Sequence, residues 1–181
     1  MTRFASQLIF CSPHQILSRT VVEQDERQIV TDLFSLDDRM AESSHTQFFD
    51  GILSAEIISL KQNVSQRDLI VLVKEYQYID FSEHILKREI IPEGGKTLLV
   101  DFGTDSTGFI NEFIPRMAQV LSGFSVFDLI AACTYYPAKI LGKPAGLSLN
   151  LHTQLLLWQQ VDFANKRITE ATRIKMLGEK E

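Results

Sequence analysis

Cysteine is almost missing from this chain: Cys11 and Cys133 are the only two. They lie far apart, so they make neither a CxxC metal spacing nor a disulfide framework. Both sit in apolar settings, which predicts two small buried hydrophobes in a reducing cytoplasm. There is no excess of basic charge. Eighteen Lys and Arg against twenty-three Asp and Glu leave a net charge of −5. A mildly acidic surface argues against a general nucleic-acid binder. No apolar run is long enough to span a bilayer, so no membrane partner is expected. The N-terminal "MTRFASQLIFCSPHQ" does not read as a signal peptide, because Ser, Gln, Pro and His break its apolar run. The loop Pro92-Glu93-Gly94-Gly95 has neither the glycine spacing nor the following helix of a phosphate or dinucleotide fingerprint. Histidine is scattered singly, at His14, His45, His84 and His152, without HxH or HxxxH spacing.

What is present fits a folded protein. A chain of 181 residues that is 45% hydrophobic can bury a useful core. The first third reads as an antiparallel β module. Residues 4–10, 15–22, 27–36 and 48–60 are its strands, with a turn at Ser12-Pro13 and a polar loop over 37–46. The middle changes period. Ser65 is a helix cap with Asp68 at the third position, and Leu69, Ile70, Leu72, Val73, Tyr76 and Ile79 follow at helical spacing. A short helix over 82–90, a strand over 97–102 and a helix over 109–122 come next. Ser125 with Asp128 caps another helix, which Pro137 must break near Tyr135-Tyr136 before Gly142 closes it. The runs "GLSLNL", "TQLLLWQQV" and "EATRIKML" read as closing strands. Strands at both ends of the chain predict one α+β fold. Its antiparallel β-sandwich is built from residues 1–60 and 143–181, with residues 61–142 inserted between them.

Three stretches carry a family resemblance. "FGTDSTGFINEFIPRMAQVL" sets Gly-Thr-Asp-Ser after an apolar strand. "GFSVFDLIAACTYYPAKILG" matches a helix pair through Thr134, Pro137, Ala138, Leu141 and Gly142, with Tyr136 where Asn is usual. "LLLWQQVDF" and "ITEATRIKML" look like closing sandwich strands. Together they resemble the amidohydrolase superfamily of metal-dependent hydrolases. The resemblance implies a composite β-sandwich with a catalytic TIM barrel inserted in it. It also implies that Asp105 stands at a metal-ligand position after the last barrel strand.

The chain departs from that pattern where the family's metal site begins. "DGILSAEII" stands in place of "PGFID-H-x-H", so Glu56 and Ile58 fall where two histidines would be. Isoleucine cannot bind a metal, and zinc or iron would need imidazole there. An eight-stranded barrel takes about 200 residues or more, and the stretch from Gly51 to Asp105 is far shorter. The expectation is therefore an amidohydrolase-like protein that has lost its barrel metal site and holds no cofactor. It would act as a cytoplasmic, homodimeric binding or interaction protein, its ligand unspecified. Phe109, Phe113 and the Tyr135-Tyr136 pair are candidates for the covered apolar surface. The alternative is a remodelled hydrolase or deaminase acting on C–N bonds. In it Asp105, His84 and Glu56 would hold one zinc or iron that activates water, with Asp105 and His84 as the catalytic pair. Each of these residues also has a plainer reading: Asp105 as a turn residue, His84 as a surface histidine, Glu56 on a solvent-facing strand edge. Thr104, Ser106 and Thr107 read as the cap of the helix that follows.

Overall fold

The computed structural model describes residues 1–38, 45–82, 89–104 and 106–178. Its strands are β1 (Thr2–Ser12), β2 (Gln15–Ser18), β3 (Thr20–Gln24), β4 (Val30–Ser35), β5 (Thr46–Ser54), β6 (Gln77–Asp80), β7 (Leu98–Asp101), β8 (Leu156–Gln159) and β9 (Arg173–Met176). Its helices are α1 (Leu60–Asn63), α2 (Gln66–Glu75), α3 (Thr107–Val120), α4 (Val126–Ile130) and α5 (Tyr136–Ile140). A π-helical turn over Ala131–Tyr135 joins the last two. The fold is α+β.

Seven strands form one mostly antiparallel sheet in the order β4-β3-β1-β5-β8-β9, with β2 also paired to β1. Strands from both ends of the chain thus share a sheet. β2 and β3 lie on the same edge of β1, in one register: Leu8 faces Ser18 and Ala5 faces Val21. The single strand expected over 15–22 is interrupted only at Arg19, whose φ is 52°. Within this sheet β1 pairs with β5 in parallel, which the expected antiparallel module did not include.

Alternation on the central strands buries both faces of the sheet. Phe10, Ile52, Leu156, Trp158 and Ile174 point to a core shared with the helices and the β6–β7 pair. Ile9, Cys11, Leu53, Leu155 and Leu157 point to a second core on the opposite face. Trp158 is fully buried, and its indole N–H donates to Ser54 Oγ at 3.0 Å. Its buried polar edge is therefore satisfied. The free thiols of Cys11 and Cys133 are buried as expected. Burial pushes Cys11 up to about 11 and raises Cys133 as well, so both stay protonated.

Three local expectations change. The run "GLSLNL" is a turn rather than a strand: Leu147 N–H bonds Cys11 O and Asn150 N–H bonds Val30 O. These donors belong to loops laid against the sheet. Helix α2 stops at Glu75, so Ile79 sits on β6 and not on a helical face. Leu72 is the buried residue of α2, while Ile70 and Val73 face outward at 55% and 50% exposure. Of the expected helix over 82–90, residues 83–88 lie outside the described residues.

Proline shapes both long helical segments. Pro115 inside α3 removes one N–H from the helix ladder. One turn earlier, the Asn111 side chain leaves the helix surface for β9: its Nδ2 donates to Ile174 O at 2.8 Å, and its Oδ1 accepts Ile174 N–H at 2.7 Å. That two-way pairing covers part of a sheet edge that is otherwise open to another strand.

β5 carries a bulge where Asp50 and Gly51 oppose Gln7 of β1. Gly51 has φ 142°, and a Cβ there would stand 2.2 Å from Trp158 O. Gly51→Ala should therefore cost about 2 kcal/mol or more, from backbone strain and a collision with a main-chain atom. Gly94, with open space around it, should lose less than about 0.5 kcal/mol on the same change. Urea unfolding of the two variants checks the difference.

Candidate functional site

β6 and β7 are parallel and pair Gln77–Asp80 with Leu98–Asp101 in register. Their C-terminal ends place Asp80 and Asp101 side by side. Asp101 is 1% exposed. Its Oδ1 accepts Ser59 Oγ–H at 2.8 Å and Gly103 N–H at 2.8 Å. Its Oδ2 accepts Lys61 N–H at 2.7 Å and Tyr78 O–H at 3.0 Å. Four donors fill the four lone-pair positions of a carboxylate.

Asp80 is held differently. Oδ1 accepts the N–H and O–H of Ser82 at 2.8 and 2.6 Å, and Oδ2 takes the Lys61 ammonium. Burial alone would raise its pKa. The hydrogen bonds from Lys61 and Ser82, with the lysine's charge, outweigh that and hold the carboxyl below its ordinary value. Lys61 Nζ also donates to Ser82 Oγ at 3.0 Å. A serine–lysine pair activates its serine only when the lysine is neutral and can take the proton. Here the ammonium faces an ionised carboxylate and donates, so Ser82 is an anchored side chain and not a nucleophile. Gly103, at φ 66°, lets the chain pass this cluster, because a Cβ there would lie 2.8 Å from Ser82 Cβ.

Of the metal and catalytic candidates singled out from the sequence, only Glu56 falls among the described residues, and it is not one of the partners of Asp101 or Asp80. Asp105 and His84 lie outside the described residues. Glu56 is exposed after β5, and its N–H is held by Thr153 Oγ1 at 3.2 Å. It lines an open cleft of about 310 Å³ with Ile57, Ser106, Gln154, Leu156 and Met176. Ser106 is the N-cap position of α3, but its side chain makes no capping bond. Thr104 Oγ1 instead accepts Ser106 N–H at 3.1 Å. Among the described residues, no three His, Cys, Asp or Glu side chains come close enough to hold a metal ion. Among them, too, no helix is long and apolar enough to cross a membrane. Phe113 is buried against Phe81 and Phe102, whereas Phe109 is 44% exposed.

The opposite end of β6–β7 is open. Tyr76, Thr97, Tyr136, Lys139 and Ile140 line a cleft of about 320 Å³. A second hollow of about 330 Å³ adjoins it through Thr97 and Tyr136 and adds Pro92, Leu98 and Phe124. The π-helical turn sets this geometry. Pro137 has no N–H for the carbonyl of Cys133, one turn earlier, and its ring would press on that carbonyl in a regular helix. The wider turn makes room, and Cys133 O accepts Ile58 N–H at 2.9 Å instead. The Tyr136 side chain then points to the cleft and meets Tyr135 edge to face at 5.4 Å. Burial raises the Tyr136 pKa, as do the charge of Asp128 and its neighbour Tyr135, so the phenol stays a donor at neutral pH.

Comparisons with protein-family models, with curated proteins and with solved structures return no match.

Two outcomes follow from the carboxylate cluster. Asp101→Asn replaces acceptors with donors against four donors, and should cost about 2 kcal/mol or more in urea unfolding. Asp80 has a lowered pKa in the folded state. Its contribution to stability is complete above the unfolded value near 4, and is lost as pH falls through the lower folded value. The unfolding midpoint should therefore drop on acidification, with a shallower acid slope in Asp80→Asn.

Proposed function

We propose that this chain is an amidohydrolase-like binding protein that works without the family's barrel metal site. The observation that carries this reading is the state of the strand-end carboxylates. The family relationship would put a catalytic centre at the C-terminal ends of the barrel strands. There Asp101 spends all its acceptor capacity on the chain's own Ser59, Lys61, Tyr78 and Gly103. A carboxylate so bonded serves the fold, since taking a metal or a substrate proton would strip donors from a buried group. The open, tyrosine-lined cleft at the other end of β6–β7 supports a binding role. The same reading includes a homodimer in the cytoplasm, with the outward Ile70, Val71 and Val73 of α2 as apolar surface to cover.

One observation favours a remodelled metal-dependent hydrolase. Glu56 and Ser106 share a cleft, and Ser106 is the chain neighbour of Asp105. On that reading Asp105, His84 and Glu56 would hold one zinc or iron ion, which would activate water for attack on a C–N bond.

Metal analysis by mass spectrometry separates the two. Protein produced with zinc, iron and manganese supplied should carry no stoichiometric metal. A stoichiometric ion that Asp105→Ala removes would overturn the binding reading and make C–N hydrolysis the activity to assay. Sedimentation should give twice the 20.6 kDa chain mass.

A further inference from the structure

We propose that the tyrosine-lined cleft at the N-terminal ends of β6 and β7 binds a small organic carboxylate with a flat apolar body. This inference rests on the non-catalytic binding reading and names the ligand class it lacks.

The cleft's uncharged polar side chains are of one kind. Tyr76, Thr97 and Tyr136 each bring a hydroxyl, and none of the three side chains has a hydrogen-bond partner among the described residues. Other hydroxyls are used inside the fold: Ser54, Ser59, Tyr78, Ser82, Thr134 and Thr172 all bond partners. Unused hydroxyls gathered on one cleft are available to a ligand.

The charge is also one-sided. Lys139 and Ile140 lie three and four residues after Tyr136 and share its helical face. Lys139 Nζ lies 5.9 Å from the centre of the Tyr135 ring and has no carboxylate partner among the described residues. Lys96, on the adjoining hollow, is by contrast held by Glu93 at 2.7 Å. Among the described residues, no acidic one lines the Lys139 chamber. Asp128 lines only the adjoining hollow, where Ser125 already engages it through N–H and O–H. Three hydroxyl donors with one ammonium suit a group of single negative charge and several acceptor oxygens. A phosphate dianion would want further cations, and among the described residues Lys139 is the one cation lining this cleft.

The adjoining hollow sets the body of the ligand. Pro92, Leu98 and Phe124 supply its apolar wall. Asp128 at its rim disfavours a second negative charge there. The carboxylate therefore points to Lys139 and the apolar body lies on the Phe124 side.

The test is an NMR titration of the isotope-labelled full chain, stripped of metal by chelation. Phenylacetate and its neutral isostere phenylacetamide are the probes. Phenylacetate should shift the amides of Thr97, Tyr136 and Lys139. Phenylacetamide should bind about tenfold more weakly, the scale of one charged hydrogen bond. Lys139→Met should remove that preference, and its exposed side chain makes the variant safe for folding. Tyr136→Phe should weaken phenylacetate binding several-fold while leaving the preference in place. Equal binding of acid and amide, an unchanged preference in Lys139→Met, or no shift at millimolar phenylacetate would each overturn the proposal. The titration is repeated after zinc is added. Binding that needs the zinc would overturn the metal-free reading of the protein. Failure with and without zinc would overturn the carboxylate assignment alone.

Discussion

The oxygens of a carboxylate that is 1% exposed must find their hydrogen-bond donors inside the fold. Asp101 meets that constraint with groups from four points along the chain, and much of the architecture around β7 follows from where they stand. Ser59 and Lys61 belong to the passage from β5 into α1, Tyr78 to β6, and Gly103 to the turn after β7. Two of the donors are main-chain N–H groups that sit outside any strand ladder and need an acceptor. Once Asp101 fixes the turn at Gly103, Ser82 can approach it. Ser82 in turn orders Asp80, and Asp80 draws in Lys61. The second carboxylate is thus held by a lysine whose own backbone the first one already holds.

The short passage from residue 58 to residue 61 is tied on both sides. Ile58 N–H reaches the carbonyl to which Pro137 can offer no N–H, and Ser59 and Lys61 reach Asp101. One connector therefore couples the π-helical turn to the end of β7, and through it the position of Tyr136 to the buried carboxylate. Proline acts here by subtraction. It deletes one helix bond, widens one turn, and hands the freed carbonyl to a neighbouring segment. The result is a tyrosine directed at a cleft rather than into the helix ladder.

The sequence made some of this legible and hid the rest for physical reasons. Local signals worked. Ser65 and Ser125 accept the N–H of Asp68 and Asp128 as caps, and near Pro137 the expected break is a π-helical turn through which the backbone stays helical. These are short-range effects that three or four residues specify. β6 was missed because "QYID" continues the apolar spacing of α2 for one more turn. Its parallel pairing with β7 is a long-range contact that no local pattern encodes. The parallel β1–β5 pair was missed for the same reason. The motif around Asp105 drew attention past Asp101. A better signal was available: an Asp enclosed by "LLV" and "F" stands inside an apolar run. A charge there implies burial with dedicated partners. No pattern of types could have announced the cleft, since Tyr76, Thr97 and Tyr136 meet only once β6, β7 and α5 are assembled.

The two ends of the β6–β7 pair show what separates a structural polar cluster from a binding site. In open parallel sheets, ligands usually gather at the carboxyl ends of the strands. Here that end carries the more polar side chains, yet its donors and acceptors are matched against one another. A ligand there would have to displace internal bonds and would gain little net energy by replacing them. The other end has fewer polar groups, but its hydroxyl-bearing side chains line an open cleft and its lysine is unclaimed by any carboxylate among the described residues. Binding energy comes from groups whose present partner is water, because exchanging water for a fixed ligand atom is the step that discriminates. By that criterion the polarity of a cluster is a poor guide to function and its unspent hydrogen-bonding capacity a good one, which is why recognition is proposed for the tyrosines and not for the aspartates.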